Sequence, residues 1–290
     1  MKCILNFKKN KLTATLISII VVVSLFILYN FTFGNDDTIE SWEQDSMNYK
    51  ELHKLTKGNN QKIALIDSGI SKDQLSDKVK NLNFVKGESN YDLNGHGTMM
   101  LSLIKGTKNN PGICPDCSIL PIKVMNKEES INPKLVSRAI ETAIEEKATV
   151  INFSLGSYHK NKLVEKSVKK ALSRNISVVA SSGDYGTNEL MFPANMDEVI
   201  SVGAIDRDNK VWDQSNASKE VDINAPGVDV TVSALDKTEF LSSGTSQSTA
   251  LISGYIALYK SMKPNTSINE LKGILQKINK NKQSYVQFLK

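Results

Sequence analysis

The chain has 290 residues, of which 40% are hydrophobic, enough for one large globular domain with an additional segment. Its formal net charge of +5 arises near the N-terminus, because residues 1–34 contain four lysines and no acidic residue. Removing these four from the 36 basic residues leaves 32, against 31 acidic residues in the remainder. A nearly neutral domain argues against a nucleic-acid-binding surface, so we expect no nucleic-acid partner. Nothing in the composition indicates the oligomeric state.

Residues 12–33 form an uninterrupted stretch of 22 residues without a charge. About 20 apolar residues span a bilayer as a helix, so the stretch predicts a transmembrane anchor. Lysines precede the stretch and none follows directly, which places the N-terminus in the cytoplasm and the remaining chain outside the cell. The alternative is a signal peptide cleaved near Gly34, which would release a secreted protein. The predicted division is a basic cytoplasmic segment (1–11), an anchor (12–33), a linker with an N-terminal lead-in (34–60) and a folded domain (61–290).

Five short apolar runs, rich in β-branched residues, predict strands that are buried on both faces. They are 62–67, 118–124, 148–153, 176–181 and 198–204. Helical spacing of apolar residues predicts helices over 133–147 and 162–174, and a third helix, apolar nearly all round, over 246–262. Strands that alternate with helices predict an α/β fold with a doubly wound, mostly parallel sheet and helices on both faces.

Cys114 and Cys117 lie close together in the sequence Cys-Pro-Asp-Cys. A zinc site would need two further ligands, and His53 and His159 lack ligand spacing. A redox role would require a thioredoxin-like strand and helix around the pair, which the pattern does not provide. On the outer side of a membrane, a local structural disulfide between Cys114 and Cys117 is favoured over free thiols.

Asp67, His96 and Ser246 supply an acid, a base and a hydroxyl in that order, each close to a glycine. A serine hydroxyl is a weak nucleophile near neutral pH, so acyl transfer needs an imidazole to take its proton and a carboxylate to orient the imidazole. Read singly, Asp67 has the features of a turn residue, His96 of a helix start and Ser246 of a helix N-cap. Together, and in this order, they predict the catalytic residues of a serine hydrolase.

The segments around these residues resemble those of the subtilisin-like serine proteases: Asp67-Ser-Gly, His96-Gly-Thr and Gly-Thr-Ser246. The resemblance extends over residues 60–275 and includes the run Ile-Asn-Phe-Ser-Leu-Gly at 151–156. It implies that Ser246 is the nucleophile, His96 the general base and then acid, and Asp67 the group that orients His96. It also implies that an extended peptide substrate binds beside Ser154, Leu155, Gly156 and Gly183, by adding a strand to the sheet edge.

Asp184 departs from the family pattern, which has an asparagine that donates a hydrogen bond to the oxyanion. Removing such a donor costs about 10²–10³ in turnover in subtilisin, where it was measured. An ionised aspartate cannot donate, and only a protonated carboxyl could take the place of the amide. Asp184 is therefore an oxyanion-hole candidate, and we expect an active enzyme with a lower intrinsic rate and better turnover at mildly acidic pH.

Two further departures concern the loop that follows His96 and the segment before residue 60. The loop between His96 and Pro115 is shorter than the calcium-binding loop of many relatives and ends at the two cysteines. We therefore predict no calcium, no other metal and no cofactor. A conventional prodomain does not fit between residues 33 and 41. In this respect the chain resembles compact leader peptidases, and this resemblance predicts a secreted or modified peptide as substrate.

Met191 aligns with the base of the pocket for the residue that precedes the cleaved bond, where a glycine is common. A methionine there would make the pocket shallow and apolar, favouring small or medium apolar side chains; alternatively, Met191 points into the core. The resulting prediction is a membrane-anchored serine endopeptidase that acts on a peptide or protein outside the cytoplasm. The alternative is a catalytically weak or silent subtilase fold that binds peptides. An esterase is disfavoured because no Gly-x-Ser-x-Gly surrounds Ser246.

Overall fold

The computed structural model describes residues 40–74, 81–217, 219–281 and 284–290. The predicted cytoplasmic segment 1–11 and anchor 12–33 lie outside the described residues. Within the described ranges, every helix is too short or too polar to cross a bilayer.

A sheet of seven parallel strands forms the centre of the domain, with the order β2-β3-β1-β4-β5-β6-β7. Because the strands are parallel, their carboxyl ends meet at one edge, where ligands bind in folds of this type. An antiparallel hairpin, β8–β9, lies outside this sheet. The strands are β1 Lys62–Asp67, β2 Leu82–Asn83, β3 Ser118–Lys123, β4 Val150–Phe153, β5 Ser177–Ser181, β6 Ile200–Ile205, β7 Ile223–Pro226, β8 Val230–Ser233 and β9 Glu239–Ser242.

Helices cover both faces of the sheet and enclose two hydrophobic clusters. One face is covered by α4 and α5, and the other by α1, α2, α3, α6 and α7. The helices are α1 Trp42–Met47, α2 Tyr49–Leu55, α3 His96–Lys105, α4 Pro133–Glu145, α5 Lys162–Leu172, α6 Thr245–Met262 and α7 Ile268–Asn281. The predicted α/β class, with a mostly parallel sheet and helices, is confirmed.

The predicted strands and helices correspond to β1, β3, β4, β5, β6, α4, α5 and α6. Helices α4 and α5 both begin at an asparagine N-cap. Asn132 caps α4 by accepting the N–H of Lys134, with a proline in the first turn. Asn161 caps α5 by accepting the N–H groups of Leu163 and Val164.

The structure differs from the prediction in the segment 34–60, which was assigned as a linker and lead-in. Its described part forms α1 and α2, which are anchored in the core by Trp42, Met47, Tyr49 and Leu52. Burial of these four side chains makes the segment an integral part of the domain. The periodicity was missed because charged residues interrupt the apolar positions.

Cys114 and Cys117 are joined by a disulfide bond, with their Cα atoms 5.5 Å apart. Both cysteines are fully buried in the turn before β3. A Cβ at Gly58 would lie only 2.1 Å from the Cys114 sulfur, so the disulfide packs directly against the backbone that follows α2. This cross-link fixes the end of the shortened loop that follows α3.

Candidate active site

Asp67 and His96 form a hydrogen-bonded pair at the carboxyl edge of the sheet. Asp67 is the last residue of β1 and is fully buried, and His96 is the first residue of α3. The Oδ1 atom of Asp67 lies 2.8 Å from Nδ1 of His96 and also accepts the N–H of Ser68 at 2.7 Å. With the Nδ1 proton facing the carboxylate, Nε2 of His96 is left as the proton acceptor.

The backbone before α3 is held by Asp92, a buried carboxylate outside the predicted site. Its Oδ1 accepts the N–H groups of Asn94 and Gly95 at 3.0 and 2.9 Å. Its Oδ2 accepts the N–H and hydroxyl of Thr98 at 3.0 and 2.6 Å. These contacts bracket His96 on both sides, so Asp92 fixes the direction in which the imidazole leaves the backbone.

Lys123, the last residue of β3, stabilises the segment that precedes α3. Its side chain is fully buried, and Nζ lies 2.8 Å from Oε2 of Glu88. It also donates to the carbonyls of Ser89 and Tyr91 at 3.3 and 3.0 Å. A buried ammonium is tolerated only where such partners surround it. Lys123 therefore ties the chain leading to His96 onto the strand beside Asp67.

A glycine at position 97 allows α3 to approach β1 closely. A Cβ there would lie 2.1 Å from the carbonyl oxygen of Gly69 and 3.2 Å from Oδ1 of Asp67. Any larger residue would push the helix away from the strand. The glycine that follows His96 in the sequence is thus required by the Asp67–His96 distance.

The pKa of His96 is raised above its ordinary value of 6.5. Burial acts in the opposite direction, because it disfavours the charged imidazolium, but the charge and hydrogen bond of Asp67 outweigh it. The negative charges of Asp92 and Glu129 contribute further. A raised pKa opposes the expected gain in turnover at mildly acidic pH, because a protonated His96 cannot accept the proton of a nucleophile.

Ser246 lies in the first turn of α6, close to the carboxyl end of β4. Its hydroxyl donates to the carbonyl oxygen of Ser154 at 3.1 Å, and no hydrogen bond joins it to His96 among the described residues. Such catalytic contacts are often unmade in ligand-free proteins. A neutral hydrogen bond contributes about 1 kcal/mol net, so the bond to Ser154 holds the Ser246 hydroxyl only weakly in this rotamer.

A chain of buried polar side chains locks the end of β4 onto α6. Ser253 donates to Oδ1 of Asn152 at 2.9 Å, and Nδ2 of Asn152 donates to Oγ of Ser154 at 3.0 Å. Oγ of Ser154 in turn donates to the carbonyl of Ser246 at 2.9 Å. Sequence analysis did not assign Asn152 and Ser253 a role. The signal available in the sequence was a polar residue within an apolar strand and another within an apolar helix.

Asp184 accepts hydrogen bonds at the start of α6. Its Oδ1 accepts both the N–H and the hydroxyl of Thr245, at 2.9 and 2.6 Å. A carboxylate at a helix N-terminus is stabilised by the unpaired N–H groups and by the helix dipole. Asp184 thus lies next to the predicted nucleophile, as an oxyanion-hole candidate must, but it acts there as an acceptor. The partner Thr245 was not predicted.

Met191 lies between two glycines that the prediction placed in the substrate cleft. A Cβ at Gly183 would lie 2.6 Å from Sδ of Met191, and a Cβ at Gly156 would lie 3.0 Å from its Cβ. The side chain is half-buried and belongs to neither hydrophobic cluster. The side chain therefore fills the space between Gly156 and Gly183.

Leu155 and Gly156 also border an apolar cavity of about 310 Å³, which extends to the starts of α4 and α5. Beyond Gly156, Ser157 and Phe192 exchange two backbone hydrogen bonds, at 3.0 and 2.8 Å. The predicted peptide-binding segment 154–156 therefore lies between the end of β4 and this bridge. Across residues 40–74, 81–217, 219–281 and 284–290, no three His, Cys, Asp or Glu side chains converge into a metal-binding cluster.

Comparison with known proteins gives one consistent result. A family model described as the subtilase family matches residues 58–288. The intracellular serine protease of Paenibacillus polymyxa is 34% identical over 223 residues, covering 71% of this chain and 68% of that protein. Subtilisin DY of Bacillus licheniformis is 34% identical over 228 residues, covering 76% of this chain and 83% of that protein. The structure of the prenylagaramide maturation protease PagA aligns with a TM-score of 0.67 and 28% identity, covering 78% of this chain and 85% of that one.

Proposed function

Because this chain belongs to the subtilase family and is a serine endopeptidase, we propose that Ser246, His96 and Asp67 carry out its chemistry. His96 takes the hydroxyl proton of Ser246 on Nε2 while Oγ bonds to the peptide carbonyl carbon. Asp67, already bound to Nδ1 at 2.8 Å, stabilises the imidazolium that forms. The intermediate collapses by breaking the C–N bond, and the departing amine takes the proton from His96. Water repeats the sequence to release the acyl group.

The oxyanion of this intermediate would face the start of α6. The N–H of Ser246 lies in the first helical turn, where N–H groups have no intrahelical partner, and would be one donor to the oxyanion. Asp184 occupies the position of the second donor but presents a carboxylate. We therefore assign this enzyme a complete nucleophile and base with a weakened oxyanion site. This assignment favours a slow, selective protease over a rapid digestive one.

Selectivity for a small or medium apolar residue before the cleaved bond is carried by the position of Met191. Its side chain fills the space between Gly156 and Gly183, which leaves a shallow apolar floor. We propose that the substrate is a secreted or modified peptide that this enzyme processes at a defined site. The similarity to a protease named for the maturation of prenylagaramide supports a processing role.

We further propose that the enzyme is anchored in the cell membrane by residues 12–33, with its peptidase domain outside the cytoplasm. The support is the sequence: 22 uncharged residues preceded by lysines. Secretion after cleavage near Gly34 is the competing arrangement. Membrane fractionation of cells expressing the full chain separates the two, because an anchored protein sediments with membranes at its full length and a cleaved one appears shortened in the medium.

Activity is tested with the full chain purified in detergent. A fluorophosphonate probe should label the wild type and fail to label Ser246→Ala, and a peptide library should report cleavage after small or medium apolar residues. A protein that binds library peptides without being labelled would contradict the assigned catalytic roles and support the peptide-binding alternative. Cleavage mainly after large aromatic residues would contradict the role of Met191 alone.

A further inference from the structure

A second apolar pocket lies at the start of α3 and is bordered by Gly95, the residue before His96. It has a volume of about 400 Å³. One wall is the start of α3, with Asn94, Gly95 and Met99, and the other is the β8–β9 hairpin, with Ala234, Leu235, Asp236 and Phe240. The side chains of Leu235 and Phe240 are 36% and 37% exposed, so the apolar lining of the pocket is accessible to a ligand.

Hydrogen bonds hold the two walls of this pocket in place. The N–H of Ser233, at the end of β8, donates to Oγ of Ser102 in α3 at 3.0 Å. At the start of β9, Glu239 accepts a bond from Asn110 at 3.1 Å and another from Thr107. These contacts tie both strands of the hairpin to α3 and to the loop that follows it. The pocket is therefore a preformed feature of the fold.

The pocket is continuous with the catalytic residues through Gly95. A Cβ at Gly95 would lie 3.8 Å from Cγ of Leu235, so Leu235 is within contact distance of the residue directly before His96. The cavity beside Leu155 is lined by different elements, namely β4, α4, α5 and the turn at Phe192. The two pockets thus adjoin different parts of the cleft.

The direction of the reaction assigns the two pockets to different parts of a substrate. His96 must hand its proton to the departing amine, so the residues that follow the cleaved bond leave past His96. We propose that the pocket between α3 and the β8–β9 hairpin binds an apolar side chain within the first few residues after the cleaved bond. Leu235 and Phe240 are then specificity-determining residues. This inference rests on the proposed peptidase activity and adds a requirement on the leaving side of the substrate.

A peptide side chain fits this pocket better than a membrane surface does. The pocket is concave and is bordered by the polar groups of Asn94 and Asp236. A bilayer contact is formed by a convex apolar face flanked by basic residues, and a carboxylate at the rim opposes approach to anionic lipid. Concave apolar pockets with a few polar groups are typical of ligand-binding sites.

The test uses the full chain and peptides that are identical up to the cleaved bond. After the bond, leucine or serine is placed in turn at each of the first three positions, and a matched p-nitroanilide has no residue after the bond. We expect leucine to raise kcat/KM about tenfold over serine at one position. Phe240→Ser and Leu235→Ser should reduce that ratio to about two or less and leave the p-nitroanilide rate unchanged, which also shows that each variant is folded.

Leu241→Ser is the matched control, since Leu241 is 48% exposed in the same strand but points to the opposite face. It should keep the leucine preference. The inference is overturned if the wild type shows no preference at any position, or if Phe240→Ser and Leu235→Ser keep the wild-type preference. A wild type that cannot cleave the p-nitroanilide would contradict the proposed function itself.

Discussion

Two carboxylates lie at the two ends of this candidate site and differ in what binds them. Asp67, at the end of β1, accepts from a histidine side chain whose other nitrogen is free to act on a substrate. Asp184, after β5, accepts from the backbone and side chain of Thr245, neither of which reacts. The β1–α3 half is thus organised to move a proton, and the β5–α6 half places a negative charge where developing negative charge must be stabilised. Identical substitutions in the two halves should therefore have opposite effects.

Asp67→Asn should cause the largest change. The amide keeps the shape but lacks the negative charge that stabilises the imidazolium formed in the reaction. If its NH₂ group takes the place of Oδ1, it also loses the N–H of Ser68 and favours the wrong imidazole tautomer, and we expect kcat to fall about 10⁴-fold. The measurement is kcat on a peptide substrate, with thermal unfolding as the control for folding. A loss smaller than about tenfold would show that Asp67 does not orient His96.

Asp184→Asn should act in the opposite direction. The amide oxygen can keep both bonds from Thr245, and the NH₂ group would take the place of Oδ2, for which the described residues provide no hydrogen bond. A donor replaces a repelling charge, so kcat should rise by about 10- to 100-fold near neutral pH.

Asp184→Ala distinguishes two roles of residue 184: providing a hydrogen-bond donor to the oxyanion and accepting the hydrogen bonds of Thr245. It removes the charge and also the acceptor for Thr245, so we expect a smaller gain than with asparagine, or a loss, together with a lower thermal unfolding midpoint. An unchanged rate for Asp184→Asn at every pH would remove Asp184 from the oxyanion site. The difference between the two halves would then be structural only.

Much of the fold, and the proximity of Asp67 and His96, could be predicted because the information is local. The buried strands are continuous apolar runs, and parallel strands deliver their last residues to one edge. The acceptor of the Ser246 hydroxyl and the donors to Asp184 could not be predicted, because they depend on side-chain rotamers and on which backbone atoms meet. The β8–β9 hairpin was missed because its short strands, Val-Thr-Val-Ser and Glu-Phe-Leu-Ser, form no continuous apolar run. The pocket beside it is assembled from two distant segments.

Met191→Gly tests specificity within the β5–α6 half. Removing the side chain would open the floor between Gly156 and Gly183. We expect kcat/KM for peptides with leucine or phenylalanine before the cleaved bond to rise about 10- to 100-fold relative to alanine. Met262→Ala, at the exposed end of α6, is the control and should keep the wild-type preference. An unaltered preference in Met191→Gly would mean that Met191 does not form the floor of the pocket.

Glu129→Gln should give the smallest effect, and it isolates the electrostatics of the β1–α3 half. Activity requires neutral His96, so kcat/KM should fall as the pH drops through the raised pKa of His96. Glu129 contributes to that increase through its negative charge. Without it the imidazolium is less stabilised, and the acid limb of the pH profile should move to lower pH by less than about half a unit at low salt.

Glu128→Gln is the matched control for this shift. Glu128 is the neighbouring carboxylate and is also exposed, but it pairs with Lys127 at 3.4 Å and is not among the main causes of the raised pKa of His96. Its profile should coincide with that of the wild type, and high salt should merge all three profiles because exposed charges are screened. A profile that moves to higher pH in Glu129→Gln would contradict the sign of the interaction. Equal shifts in both variants would assign the effect to net surface charge. The raised pKa of His96 would then be caused by Asp67 and Asp92 alone.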